Sequence, residues 1–234
     1  MGAIYRRELK AYFTSPIAYI YLAVFYLITG YYFCMANIYY ATTDMSTTFA
    51  GIFTIMMILL PLLTMRLFAD EKKQKTEQCL LTAPVNLFEI VMGKFLACST
   101  IFLIGMAIYI PCVIVLVVLA GNISWAPIIG NMIGLLLLGM SFISIGIFFS
   151  SLTENQIVAA IISFLVIIFL YMIDVFALLF SGAISTVMAS LGFYSRYIEF
   201  TQGILSINSI VFFISVIFVF NFLTVRMLEK RRWS

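Results

Sequence analysis

Residues 66–94, RLFADEKKQKTEQCLLTAPVNLFEIVMGK, hold the one dense run of polar and charged side chains in the sequence, and the chemistry they permit is recognition. Asp70 and Lys73 stand at i,i+3, and Glu71 and Lys75 at i,i+4. Each acid lies N-terminal to its base, the order a helix dipole favours, so the run predicts a short charged helix. Ala83-Pro84 stops that helix, because a residue ahead of proline is pushed out of the α region. Asn86 and Glu89 then have capping-box spacing, and Val85 and Ile90 that of a hydrophobic staple, for the start of a new helix. Two readings stay open for the run: a solvated loop, or the place where a soluble partner grips.

Catalytic chemistry has little to work with. Gly93-Lys94 is no P-loop, since Phe88 stands where the first Gly should be and Phe95 where Ser or Thr should be. The chain has no His, which removes the usual general base and the commonest metal ligand. Neither H-E-x-x-H nor G-x-S-x-G is present. Cys34, Cys79, Cys98 and Cys112 show no C-x-x-C spacing and read as unpaired thiols. No enzyme activity, cofactor or metal site is expected, and a net charge of +3 is too small to argue for nucleic acid.

The elements that must position the polar run are membrane spans. The chain is 64% apolar and only 10% charged, with a mean hydropathy of +1.15, where a soluble domain carries about 25% charged residues. Charges cut it into apolar blocks. Residues 11–43 carry none and hold a span at about 17–36; residues 45–65 hold a second at about 49–67. From Phe95 to Thr153 run 59 uncharged residues, which Gly121-Asn122 and Pro127 divide into two spans. A fifth is expected at about 156–180 and a sixth at about 207–227, with a Gly- and Ser-rich segment, 182–206, between them.

Six spans put both termini on one side. Arg6, Arg7 and Lys10, then Arg66, Lys72, Lys73, Lys75 and Lys94, then Arg226, Lys230, Arg231 and Arg232 fall on that side, leaving Arg196 as the exception among 13 basic residues. The positive-inside rule makes it cytoplasmic. The first apolar stretch is longer than the 7–15 residues of a signal-peptide core, so it is expected to remain as an anchor. Ahead of it, Ile4, Tyr5, Leu9, Tyr12 and Phe13 share one half of a helical wheel, with Arg6, Arg7 and Lys10 opposite and Glu8 as the one intruder. That pattern predicts an interfacial helix, and Ser15-Pro16 reads as N-cap and first residue of span 1. The fold expected is all-α and polytopic, one transmembrane domain over residues 1–234.

The sequence resembles the type-2 ABC transporter permeases, most closely the small six-span members grouped with gliding-motility and nitrous-oxide-reductase accessory permeases. RRELKAYFTSPIAYIY at 6–21 is similar to that family's N-terminal interfacial helix. Arg66, Asp70, Glu71, Lys72, Thr76, Glu77, Leu80, Leu81, Pro84, Gly93 and Lys94 match its cytoplasmic pattern, and Gly203 with LEKRRW at 228–233 matches its tail. The resemblance implies a bacterial or archaeal cell-membrane permease, an exporter. It would be driven by a separate ATP-binding subunit and paired with a second permease chain among membrane lipids. It also implies a coupling helix between spans 2 and 3, formed by Arg66, Asp70, Glu71, Lys72, Thr76, Glu77, Leu80, Leu81 and Pro84. Short re-entrant outer helices are implied between spans 5 and 6, where Arg196, Glu199 and Gly203 lie; YSRYIE at 194–199 departs from the aromatic run expected there.

Asp174 is the one acid inside an apolar block, about 27 Å along span 5 at 1.5 Å per residue. It reads either as a solvated residue at the outer boundary or as part of a substrate exit path. Gly130-x-x-x-Gly134 reads as a helix-packing face. The 23 Phe and 13 Met suit lipid contact and core packing, with a Met-lined metal path as the sharper alternative. Two other function classes remain. A secondary transporter should show inverted repeats, broken helices and ionisable residues at the midplane, none of which is legible here. A non-transporting membrane component of an assembly or motility complex could use the same fold.

Overall fold

The computed structural model describes residues 1–76, 86–120, 124–177, 179 and 192–232, and among them every regular element is helical. Six stretches are long and apolar enough to cross a membrane: Pro16–Tyr39, Ser46–Lys73, Leu87–Leu119, Trp125–Leu152, Gln156–Ala177 and Ile207–Arg232. Helix α1 (Gly2–Thr14) precedes span 1, which is α2 (Pro16–Phe33) continued by a π-helical turn, Cys34–Tyr39. Span 2 is α3 (Ser46–Thr64), extended after a break at Met65 by α4 (Arg66–Lys73). Span 3 comprises α5 (Leu87–Met106) and α6 (Tyr109–Ala120); spans 4 and 5 are α7 (Trp125–Leu152) and α8 (Gln156–Ala177). A nine-residue helix, α9 (Phe193–Thr201), comes before span 6, α10 (Ile207–Arg232).

Span 4 is the hub: it packs against spans 2, 3, 5 and 6 and against α4 and α9. Accordingly 67% and 61% of the most apolar stretches of spans 2 and 4 are buried within the chain, against 22% and 17% for spans 5 and 6, which leave most of that surface for lipid or other chains. Small residues set the approach. A Cβ at Gly134 would stand 2.7 Å from Phe200 Cβ of α9 and one at Gly130 2.6 Å from the Phe200 carbonyl, so the Gly130/Gly134 face receives α9.

Local expectations fare unevenly. Ser15 stands at the N-cap and Pro16 opens span 1 as expected, but the Ser15 hydroxyl makes no capping bond; it donates to the Tyr12 carbonyl (3.1 Å) and accepts from Arg66 (2.7 Å). No capping box forms at Asn86, because the Glu89 carboxylate instead takes the Met1 amino group at 2.5 Å. Span 3 breaks at Ala107–Ile108, a feature the uniform hydropathy hid. Pro111 lacks the N–H that would reach the Ala107 carbonyl, and Ile110 N–H takes that oxygen at 3.1 Å. No acid or base lies in residues 95–153, so the break carries none of the ionisable groups a secondary transporter would place there.

The break at Met65 matters most. It frees backbone groups at the buried root of α4, and Ser150 of span 4 takes three of them. Its Oγ donates to the Met65 carbonyl (2.8 Å) and accepts from the N–H groups of Phe68 (3.1 Å) and Ala69 (3.3 Å). A buried polar group without a partner costs about 1–3 kcal/mol. We predict that Ser150→Ala leaves the helix content unchanged but lowers stability by about 1–3 kcal/mol, read as a drop in thermal midpoint in detergent. An unchanged midpoint would show that other groups cap α4.

Candidate functional site

At one end of the bundle, α1, α4 and the start of α5 meet around Lys94. This residue is 0% exposed although it carries a charge. Its Nζ lies 3.1 Å from Glu8 Oε1 and 3.0 Å from Glu71 Oε2, donates to the Leu67 carbonyl at 2.6 Å, and stands 4.9 Å from the centre of the Phe68 ring. Arg7 closes the group, with its NH2 at 2.5 Å from both Glu8 Oε1 and Glu71 Oε1. Two cations and two carboxylates balance, which is the condition for burying any of them. Burial pushes the Glu8 carboxyl up, but Lys94 and then Arg7 outweigh it and hold Glu8 below the ordinary carboxylate range. The Arg7 guanidinium loses hydration too, and its bonds with Glu8 and Glu71 leave it more firmly protonated than usual.

Glu8, the intruder on the apolar half of α1, is thus the residue that half of the helix needs: it is 9% exposed and faces Lys94. The expected pairs within α4 give way to longer connections. Glu71 meets Arg7 and Lys94 where Lys75 was expected, and Asp70 accepts from the Gln156 amide where Lys73 was expected. Lys72 reaches Glu154 at 3.3 Å. Arg66 turns back to α1, donating to the Ala11 carbonyl (3.1 Å) and Ser15 Oγ (2.7 Å) and lying 5.2 Å over the Tyr12 ring. Tyr12 in turn donates its hydroxyl to the Leu63 carbonyl at 2.9 Å.

Of the residues singled out in this run, Arg66, Asp70, Glu71 and Lys72 therefore point inward or sideways, and Thr76 is exposed. Glu77, Leu80, Leu81 and Pro84 lie outside the described residues. The exposed tip is Lys73, Gln74, Lys75 and Thr76. Lys75 has φ +58°, the left-handed conformation in which a helix commonly ends on glycine. Its N–H bonds the Lys72 carbonyl (3.1 Å) and that of Thr76 the Glu71 carbonyl (2.9 Å), so α4 stops there. Glu8, Arg7 and Lys94 were not among the residues expected to form the coupling contact: Lys94 figured only in the match to the family's cytoplasmic pattern, Arg7 as part of the polar face of α1, and Glu8 as a charge on its apolar half.

At the other end, α9 packs on spans 4 and 5. Asp174 accepts from the N–H groups of Tyr194 (2.8 Å) and Ser195 (3.4 Å), so the carboxylate of span 5 caps the N-terminus of α9, where the helix dipole favours it. Gly192 lies against that carboxylate, leaving no room for a Cβ. Glu199 accepts from Ser209 at 2.6 Å, and Arg196 stands 4.4 Å over the Phe212 ring. Gly203 has φ +77° and a Cβ there would meet Pro127 N at 3.1 Å, so glycine is required to turn the chain into span 6. Arg196, Glu199 and Phe212 line a cleft of about 640 Å³ at this end. The expected outer segment 182–206 is described only from residue 192, and Asn122 lies outside the described residues.

Among the described residues no three His, Cys, Asp or Glu side chains gather as metal ligands. The arrangement ties a charged, partly exposed corner to α1 and to the root of span 3. We predict that Lys94→Met, which strands two buried carboxylates, destabilises the protein by about 3–5 kcal/mol, while the triple variant with Glu8→Gln and Glu71→Gln regains most of that loss. Thermal unfolding in detergent reads both, and a single variant as stable as the parent would mean that the carboxylates hydrate at no cost.

A family model described as ABC-2 family transporter protein matches residues 3–232, nearly the whole chain. No curated protein matches it.

Proposed function

The chain belongs to the ABC-2 transporter family, a multi-pass membrane permease, and we propose that it is the membrane subunit of an exporter driven by a separate ATP-binding subunit. The family match over residues 3–232 carries this reading. In the proposal the permease does not hydrolyse ATP itself; its sequence lacks a P-loop. Substrate moves outward by alternating access, and a second permease chain completes the pathway. Spans 1, 5 and 6, which bury 28%, 22% and 17% of their most apolar windows within this chain, have the surface such a partner needs.

The coupling contact in this reading is the exposed tip Lys73–Thr76 together with the following residues 77–85. Behind it, Glu71, Lys94, Glu8 and Arg7 carry the motion to α1 and span 3, and Asp70 and Lys72 carry it to the start of span 5 through Gln156 and Glu154. A charge at such a contact that opposes its partner after desolvation costs about 2–5 kcal/mol, whereas one on a merely solvated loop changes little. The chain purified alone is expected to show no ATP turnover, and the complex drawn from native membranes on a tagged chain is expected to hydrolyse ATP. Lys75→Glu combined with Thr76→Arg should cut the ATPase recovered at least tenfold without changing expression. Undiminished recovery, or turnover by the chain alone, would overturn the assignment.

Orientation forms part of the same proposal. The end carrying α1, α4 and Lys94 is cytoplasmic together with both termini. The end carrying Asp44 and α9, joined where Ser46 Oγ meets the Thr201 carbonyl at 3.5 Å, is outside, and α9 dips back into the outer leaflet. In intact cells an impermeant thiol reagent should label a cysteine placed at Asp44 and leave one placed at Lys73 unlabelled. The opposite pattern would invert the topology.

A further inference from the structure

A cleft of about 480 Å³ opens beside the exposed tip of α4, between Lys73 and residues 154–157 at the start of span 5. Its two walls come from different connections, since Lys73 ends the helix that follows span 2 and the opposite wall follows span 4. Two contacts hold the walls together: Lys72 pairs with Glu154 at 3.3 Å, and the Gln156 amide donates to Asp70. The Asn155 side chain is engaged in capping span 5, its Oδ1 accepting the Ile157 N–H at 3.0 Å. That leaves Lys73 as the one charge in the cleft without a partner among the described residues, with Ile157, 66% exposed, on the other wall.

An unpaired cation beside an exposed aliphatic side chain fits a carboxylate carried on a protein surface, because the aliphatic flank keeps water off the ion pair and so strengthens it. A second copy of this chain has no such group to spare at this end. Among the described residues there, Glu8, Asp70, Glu71, Glu89, Glu154 and Glu229 already hold partners. The acid therefore comes from a different protein, and the cleft adjoins the tip that the function proposed above gives to the ATP-binding subunit. We propose that the cleft seats an aspartate or glutamate side chain of the ATP-binding subunit on Lys73, so that this partner grips the connection after span 2 and the connection after span 4 together. The inference rests on that functional reading and adds to it the chemistry of the partner's docking residue.

The test takes the complex drawn from native membranes on the tagged full-length chain and treats it with a water-soluble carbodiimide, which joins an amine to a carboxylate in contact with it, with loss of water. Tandem mass spectrometry should find Lys73 joined to an Asp or Glu of a subunit whose own peptides include a P-loop. Lys73→Glu should cut the ATPase recovered about tenfold, and Lys73→Arg, which keeps the charge, should retain it. Ile157→Trp, which fills the cleft without changing any charge, should cut recovery as well. A complex that contains the ATPase but leaves Lys73 uncoupled, as an anionic lipid seated there would, overturns this inference and leaves the proposed function standing. So does Lys73 joined only to a carboxylate of a permease chain, or undiminished recovery from Lys73→Glu or Ile157→Trp. A complex that contains no ATPase overturns both.

Discussion

The structure depends on a shortage of water at one corner. Where span 2 breaks at Met65 and becomes α4, carbonyls and N–H groups leave the helical ladder at a depth where solvent does not reach them, and in such surroundings each must find a protein partner. Tyr12 takes the Leu63 carbonyl, Ser150 the Met65 carbonyl and two N–H groups, and Lys94 the Leu67 carbonyl. Those partners come from α1, span 4 and span 3. Satisfying one corner therefore gathers four elements, and Arg66 secures the arrangement by binding the end of α1.

Lys94 brings a charge to that corner, which requires Glu8 and Glu71, and these in turn are bridged by Arg7. Ion pairs of this kind are weak sources of net stability but strict about geometry, since displacing one member leaves another stranded. An apolar contact between α1 and span 3 would tolerate sliding; this one fixes register. The same division recurs at the opposite end, where Asp174 sets the position of α9 through two backbone N–H groups while the Gly130/Gly134 face merely allows it to come close.

Charge placement made the six spans and their grouping legible, because a bilayer admits so few charges that those present mark the ends. The charged character of α4 was equally readable. Its partners were not: Lys94 and Glu8 are 86 residues apart, and nothing local distinguishes a carboxylate that will meet a lysine from one that will stay in water. The capping box at Asn86 failed for a related reason, since the Glu89 carboxylate found a stronger partner in the Met1 amino group. Counting along span 5 placed Asp174 near its far end, yet its role depends on a helix that begins 19 residues later. Pro111 did signal the break in span 3, but hydropathy, uniform across it, masked the signal.

The burial of Lys94 also constrains how the protein is made. Both carboxylates that neutralise it precede it in the chain, so the partners of its ammonium group are synthesised before it. An ammonium group entering the bilayer edge next to waiting counter-ions avoids the cost it would meet alone. Had the acids followed Lys94 in sequence, span 3 would have had to insert with its charge uncompensated. The order of residues is thus an order of synthesis, in which the three charges that Lys94 joins all come before it.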